Sequence, residues 1–318
     1  MSGFVYTQTL LACEQFGWLE SLAQSPQPAE QLISASGLSR ERGLLLVKAA
    51  CGIGLMSLRR GRVRLTLRGE VIASQAGLRA LIRHHALFYQ DLMDPTALLR
   101  ETNPRTRLRQ FWAYVDRRDG EGGGSEAQAA EYSALMTVTQ DMVVSQVLAS
   151  VNLRESKGLL DLGGGQGRFV HEIAKRYPGL GVHVFDLPGV QTPAAFGHIG
   201  RTVGDFFRDE FPTGFDTISL VRVLYDHPDE WVIRLLTKVH QYLAPIKGRL
   251  LVAEPMAEAQ RQIPMAEAYF GWYLLAMKGG RARSQAELSG LLRQVGFRTV
   301  ATPRTPVPMQ CSVIQAWA

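Results

Sequence analysis

The segment from Gly158 to Pro188, GLLDLGGGQGRFVHEIAKRYPGLGVHVFDLP, constrains the fold more than any other part of the chain. Gly158–Leu162 is an apolar run suited to a buried strand. Gly163, Gly164, Gly165 and Gly167 follow, letting the backbone turn tightly and approach a ligand with no Cβ in the way. Phe169–Arg176 has helical apolar spacing and stops at Tyr177-Pro178. Val182–Phe185 reads as a second strand, with Asp186 at its C-terminal end. In a doubly wound sheet an acid at that place accepts from a ribose diol, so the unit predicts an adenosine-containing ligand.

Glycine spacing separates the candidate ligands. A dinucleotide fingerprint needs G-x-G-x-x-G, but here the third glycine position is Arg168, and no G-K-[ST] of a phosphate loop follows. The pattern D-x-G-G-G-x-G, starting at Asp161, resembles motif I of the class I S-adenosylmethionine methyltransferases. That resemblance implies S-adenosyl-L-methionine as cofactor. Gly163 and Gly165 would lie against its amino-acid part, Asp186 would hold the ribose, and Gly204-Asp205-Phe206 would clamp the adenine; Arg222 is a further cofactor-binding candidate. The rest of this half alternates accordingly: strand Phe215–Leu224, helix Asp229–Leu243, strand Arg249–Ala253, helix Gln285–Val295, and closing strands Thr299–Ala301 and Ser312–Trp317. Such alternation predicts an α/β fold with a largely parallel, Rossmann-like sheet.

A chain of 318 residues suits two domains. The net charge of +6 is concentrated between residues 40 and 70, which carry eight Lys or Arg and two acids. Pro28–Ser36 and Arg40–Cys51 read as helices and Leu55–Leu67 as a hairpin about Arg60-Gly61, a winged-helix pattern. A basic winged helix alone points to DNA. Small-molecule O-methyltransferases, however, carry such a domain for dimerisation, and the methyltransferase half favours that reading. The apolar helix Phe4–Ala23 fits a homodimer interface. Basic residues on a wing also suit peripheral contact with an anionic membrane surface. Cys13, Cys51 and Cys311 are isolated and lack metal-ligand spacing, which predicts a reducing, cytoplasmic setting. No apolar run approaches the ~20 residues that span a bilayer.

Leu78–Leu99 and Ala127–Val151 read as long helices joining the halves, with a loop-like stretch, Asp116–Ser125, between them. The helix around Glu131–Met136 resembles one that lines cofactor and acceptor in the O-methyltransferases. The strings HHALFYQDLMDPTALLR, YSALM, ISLVRVLYDHPDEW, VAEPM and AYFGWYLLAMKGGRARSQAEL resemble the carotenoid hydroxyl methyltransferases of photosynthetic bacteria, which act on 1-hydroxy carotenoids such as demethylspheroidene and hydroxyneurosporene. One departure bears on mechanism. Phenol O-methyltransferases carry a general-base His in an L-H-D-W string. Here the matching residues are Leu224-Tyr225-Asp226-His227, with Tyr in the place of His and His in the place of Trp. His227 has the reference pKa of a base and Tyr225 does not. His227 is therefore the expected base, with Tyr225 hydrogen-bonding the acceptor and Glu254 orienting the base; His84 and His85 are weaker candidates. Tyr269, Phe270, Trp272, Tyr273, Leu274, Leu275 and Met277 are expected to wall a long apolar pocket.

The resulting expectation is an S-adenosylmethionine-dependent O-methyltransferase acting on a hydroxylated carotenoid. Its domains would be a winged-helix dimerisation domain (1–75), a helical linker (76–152) and a cofactor domain (153–318). An enzyme acting on a phenolic or polyketide hydroxyl and a cofactor-sensing DNA-binding regulator remain as alternatives.

Overall fold

The structure is a computed structural model describing residues 2–102, 105–112, 126–188, 193–257 and 265–318; for 126–134 and 266 only the backbone is described. The expected loop Asp116–Ser125 and the side chains of Glu131–Ala134 lie outside the described residues. The chain divides into two compact units, Met1–Gln90 and Asp91–Ala318, beside which stands the three-part division drawn from the sequence.

In the first unit the expected helix Phe4–Ala23 is two helices, α1 (Gly3–Gln15) and α2 (Trp18–Gln24). The break is at Gly17, whose φ of 70° an L side chain rarely adopts. Then come β1 (Gln27–Pro28), α3 (Ala29–Ala35), α4 (Arg40–Gly52), β2 (Met56–Arg59), β3 (Arg62–Leu65), α5 (Leu67–Ser74) and α6 (Ala76–Asp91). The three strands form an antiparallel sheet in the order β1-β3-β2. Arg60 and Gly61 both have positive φ, 49° and 75°, the backbone that a two-residue hairpin turn requires. Trp18, Leu19, Ile33, Val47 and Val63 fill this unit's core. Glu14, buried on α1, accepts from Arg79 and Arg83 of α6. The expected helix Leu78–Leu99 ends at Asp91. A new one, α7 (Pro95–Arg100), starts where Asp94 caps the N–H of Ala97 and Pro95 takes the first helical position.

The second unit continues with α8 (Arg107–Phe111), α9 (Glu126–Ser150), β4 (Gly158–Leu162), α10 (Arg168–Arg176), β5 (Gly181–Asp186), β6 (Gly200–Val203), β7 (Thr217–Val221), α11 (Asp229–Leu243), β8 (Arg249–Glu254), α12 (Met265–Met277), α13 (Gln285–Gln294), β9 (Thr299–Ala301) and β10 (Ser312–Trp317). Its seven-stranded sheet has the order β6-β5-β4-β7-β8-β10-β9. The first five run parallel; β10 is antiparallel to both β8 and β9. Successive residues of a strand face opposite sides. Leu160, Leu162, Leu250 and Val252 accordingly enter one core, and Leu159, Leu251 and Ala253 the other. The Rossmann-like class and the strand-helix alternation read from the sequence are those observed. The strand expected over Phe215–Leu224 is shorter, because Arg222 turns the chain with a φ of 55°. Order reverses where β5 and β7 flank β4, and in open sheets of this kind ligands bind in the crevice at that point.

Candidate active site

The glycine-rich loop opens at the end of β4, the strand beside the reversal. Gly163, Gly165 and Gly167 all take left-handed backbone, with φ of 71°, 58° and 89°. A Cβ on Gly164 would fall 2.6 Å from Asp161 Oδ2, so a carboxylate lies directly beneath the loop. Asp161 is buried and pairs across the sheet with Ser219, whose hydroxyl donates to Oδ1 at 2.6 Å; Oδ2 has no partner among the described residues. Burial pushes its pKa up to about 7, with Asp186 adding to the rise and the Ser219 bond opposing it.

Asp186 ends β5 and holds the loop. Its Oδ2 accepts from the N–H of Gly165 at 2.6 Å, and Oδ1 from that of Leu187 at 2.7 Å. Burial raises its pKa while both bonds lower it. One lone pair per oxygen remains for a diol. Gly204 follows β6 and donates to the Asp186 carbonyl at 2.9 Å. A Cβ there would strike the Phe185 ring at 2.5 Å. Asp205 Oδ1 accepts from the Phe207 N–H at 2.8 Å, and the carboxylate lies 3.6 Å from Arg208. Phe206 borders the loop: its Cε1 is 3.5 Å from where a Gly163 Cβ would stand.

The third component is the turn Leu224–His227 after β7. Arg222 leads into it, its N–H bonded to the Ala253 carbonyl at 2.9 Å. Its guanidinium reaches α9, donating to Thr139 at 2.9 Å, to the Met136 carbonyl and to Gln140. Its Nε has no partner among the described residues. This residue was read as a cofactor contact, and it also ties the strand end to a helix. Tyr225, Asp226 and His227 are all buried. The His227 ring meets Phe207 and Phe206 edge-on at 5.2 and 6.0 Å. Tyr225 instead meets Phe270 of α12, at 6.4 Å and 83°. The turn thus sends one side chain toward the aromatic pair after β6 and the other toward α12.

Glu254, fully buried at the end of β8, accepts at Oε2 from the N–H groups of Leu224 and Tyr225, at 3.0 and 3.2 Å. Its Oε1 has no partner among the described residues. Burial pushes its pKa up to about 8; the Tyr225 N–H and Arg283 pull the other way. On α12, Tyr269 stacks on Tyr273 at 5.6 Å, and Trp112 donates from Nε1 to the Tyr273 hydroxyl at 3.0 Å. Burial holds both tyrosines above the usual phenol value. Of the residues expected to wall a pocket, Tyr273, Leu274 and Met277 are buried. His84 and His85 belong to the first unit; burial lowers both, His84 to about 4.

Sequence reasoning missed Arg283 and Gly280. Arg283 has no exposed surface and donates to the carbonyls of Leu224 and His227. A Cβ on Gly280 would lie 1.8 Å from the Tyr225 carbonyl oxygen. Their one signal is the G-G-R-A-R run at 279–283, which carries no meaning until the turn it packs on is known.

A sheet with its seventh strand reversed, a glycine-rich loop at the order reversal and an acid one strand over define the methyltransferase class of doubly wound proteins. Residues 113–298 match the O-methyltransferase domain family, and the chain belongs to that family. It is 42% identical over 99% of its length to the demethylspheroidene O-methyltransferase of Rhodobacter capsulatus, covering 80% of that protein. The enzyme of the same name from Cereibacter sphaeroides is 40% identical over 94% of the chain and is likewise covered for 80%. Human N-acetylserotonin methyltransferase in complex with SAM shares the fold at a TM-score of 0.82 and 22% identity, over 99% of this chain and 94% of that one.

Proposed function

We propose that this O-methyltransferase transfers a methyl group from S-adenosyl-L-methionine to the hydroxyl of a 1-hydroxy carotenoid. The observation that carries the acceptor is the near-full-length similarity, at 40–42% identity, to two enzymes named for demethylspheroidene. The cofactor fits the loop: three left-handed glycines clear its path, Asp186 keeps lone pairs toward it, and the unpartnered Asp161 Oδ2 lies beneath Gly164. When bound, it supplies an electrophilic methyl on a sulfonium, whose thioether leaves without protonation.

The protein's residues then divide the work. Gly163, Gly165 and Asp186 hold the amino-acid part and ribose, and Gly204, Asp205 and Phe206 the adenine end. Contact between His227 and the Phe206–Phe207 pair supports a place for His227 beside that ring rather than as the base first expected. Contact with Phe270 supports Tyr225 as the residue that meets the acceptor hydroxyl. Glu254 steadies the turn by its backbone. An aliphatic alcohol loses its proton late, as its oxygen becomes positive, and a weak acceptor, the Tyr225 hydroxyl oxygen or solvent water, then suffices to take it. Alignment of that oxygen with the methyl carbon can then supply much of the rate, of order 7–11 kcal/mol in favourable cases.

A homodimer through the first unit fits the exposed Phe4, Val5 and Tyr6 on α1. Peripheral contact with an anionic membrane from the cytoplasmic side fits the basic 40–70 stretch and a lipophilic acceptor. No described helix is long and apolar enough to cross a membrane. The deciding experiment is turnover of labelled S-adenosylmethionine with hydroxylated carotenoids in detergent, against simple phenols. Methylated carotenoid with inert phenols is expected. Phenol turnover with inert carotenoids would shift the acceptor class, and salt-sensitive duplex binding without turnover would favour the regulator.

A further inference from the structure

We propose that Arg283 is a positioning residue for methyl transfer: it fixes the Leu224–His227 turn by its carbonyls and so sets where Tyr225 meets the acceptor. Its Nη1 donates to the Leu224 carbonyl at 3.0 Å, its Nη2 to the His227 carbonyl at 2.7 Å, and its Nε to Asp229 Oδ1 at 2.7 Å. Glu254 takes the turn's N–H groups, those of Leu224 and Tyr225. Four residues are thus gripped from both polar sides by two fully buried side chains.

The arrangement exceeds what a structural ion pair requires. Asp229 is 46% exposed and already pairs with Arg281 at 3.0 Å, so its charge is met at the surface. Burying a second guanidinium against it carries a desolvation cost that a buried ion pair commonly fails to recover. What Arg283 adds is two carbonyl bonds three residues apart, and only a planar fork makes both at once. Gly280, upstream in the same loop, lies against the turn's backbone with no room for a Cβ. The turn therefore has little freedom except through these contacts. Misplacement by about 1 Å can cost about 100-fold in rate, so holding Tyr225 to within that margin is a catalytic contribution made at a distance.

The inference rests on Tyr225 meeting the acceptor, and a double-mutant cycle separates the two. Single-turnover methyl transfer, KM for the acceptor and Tm would be measured for Arg283→Lys, Tyr225→Phe and the pair. Arg283→Lys should lower kcat about 5- to 10-fold, no further than Tyr225→Phe does, with KM changed less than about 3-fold. In the Tyr225→Phe background it should cost less than about 3-fold, since coupled residues are non-additive. A Tyr225→Phe enzyme at full rate sinks the reading of Tyr225 itself. A slow Tyr225→Phe enzyme on which Arg283→Lys still costs its full factor sinks the role of Arg283 alone. Should Arg283→Lys not fold, Asp229→Asn decides. It weakens the ion pair but still accepts from Nε, so it should lower Tm and keep kcat within about 3-fold. A collapse of kcat in Asp229→Asn would overturn the assignment to the carbonyl bonds.

Discussion

The glycine-rich loop and the Leu224–His227 turn follow adjacent strands of one sheet, yet they are held by opposite means. The loop is held by the two strands that follow it: Gly165 to Asp186 and Gly163 to the Phe185 carbonyl at the end of β5, and Arg201 of β6 to the Gly165 carbonyl. Its shape comes from glycines that permit positive φ. The turn carries no glycine. Glu254, at the end of β8, and Arg283, between α12 and α13, come from later elements and reach it fully buried. A bend that accommodates a ligand can take its shape from glycines, while a bend that must aim side chains needs fully buried partners to fix its backbone.

The strongest challenge to that contrast is a pair of glycine substitutions. Gly280 has a φ of 62°, and its added Cβ would meet backbone atoms of the turn at 1.8 and 2.5 Å. Gly165 has a φ of 58°, with open space around it. Gly280→Ala should cost about 3 kcal/mol, and Gly165→Ala about 1 kcal/mol with weakened S-adenosylhomocysteine binding. Denaturant unfolding and calorimetry would check both. Equal stability losses would erase the distinction between a packed and an open glycine.

Next in size is Asp186→Ala. It removes the acceptor of two backbone N–H groups and the proposed ribose anchor, for a loss of about 1–3 kcal/mol in S-adenosylhomocysteine affinity. Asp205→Ala should lose less, because it frees one backbone N–H, that of Phe207, where Asp186→Ala frees two. A larger loss at Asp205 would make the adenine end the main anchor.

The turn's two aromatic neighbours give the third test. Tyr225→Phe should lower the rate about tenfold, the loss of one hydrogen bond to the acceptor. His227→Phe keeps a ring against Phe206 and Phe207 and should stay within a few-fold. A loss of about 100-fold or more at His227 with unchanged cofactor affinity would restore it as the base.

These contrasts also explain what the sequence disclosed. Asp161, the glycines, Asp186 and Gly204 were legible because strand, loop and acid follow one another within a short span and each step has a sterically forced residue type. The sheet was legible because its strands alternate with amphipathic helices. Single-residue breaks at Gly17 and Asp94-Pro95 were not, since apolar periodicity continues across them. Arg283 was invisible for a different reason: its partners are the carbonyl oxygens of Leu224 and His227, and every residue has a carbonyl. The directions of Tyr225 and His227 likewise depend on whether Phe270 or Phe207 is nearby, which only tertiary packing decides.

The smallest predicted effect is a change in pH dependence, and it isolates Glu254. Burial raises this carboxyl from 4.5 to about 8. The native state thus keeps a proton that the unfolded chain releases across that window. Stability from this group is present below the unfolded value and is lost as pH rises through the folded one. Asp161, raised from 3.8 to about 7, acts in the same direction over its own window. Buried His84, lowered to about 4, acts in the opposite direction below its free value, so the comparison of Glu254→Gln with wild type, not the wild-type trend, isolates Glu254. Glu254→Gln cannot ionise, yet its amide oxygen can still accept from the Leu224 and Tyr225 N–H groups. The variant should match wild type near pH ~5 and exceed it by a few degrees near pH ~8. The difference between the two curves removes Asp161, which both share. Parallel curves would mean that Glu254 is ionised throughout, and the turn would then be held by a buried anion facing Arg283 rather than by a neutral acid.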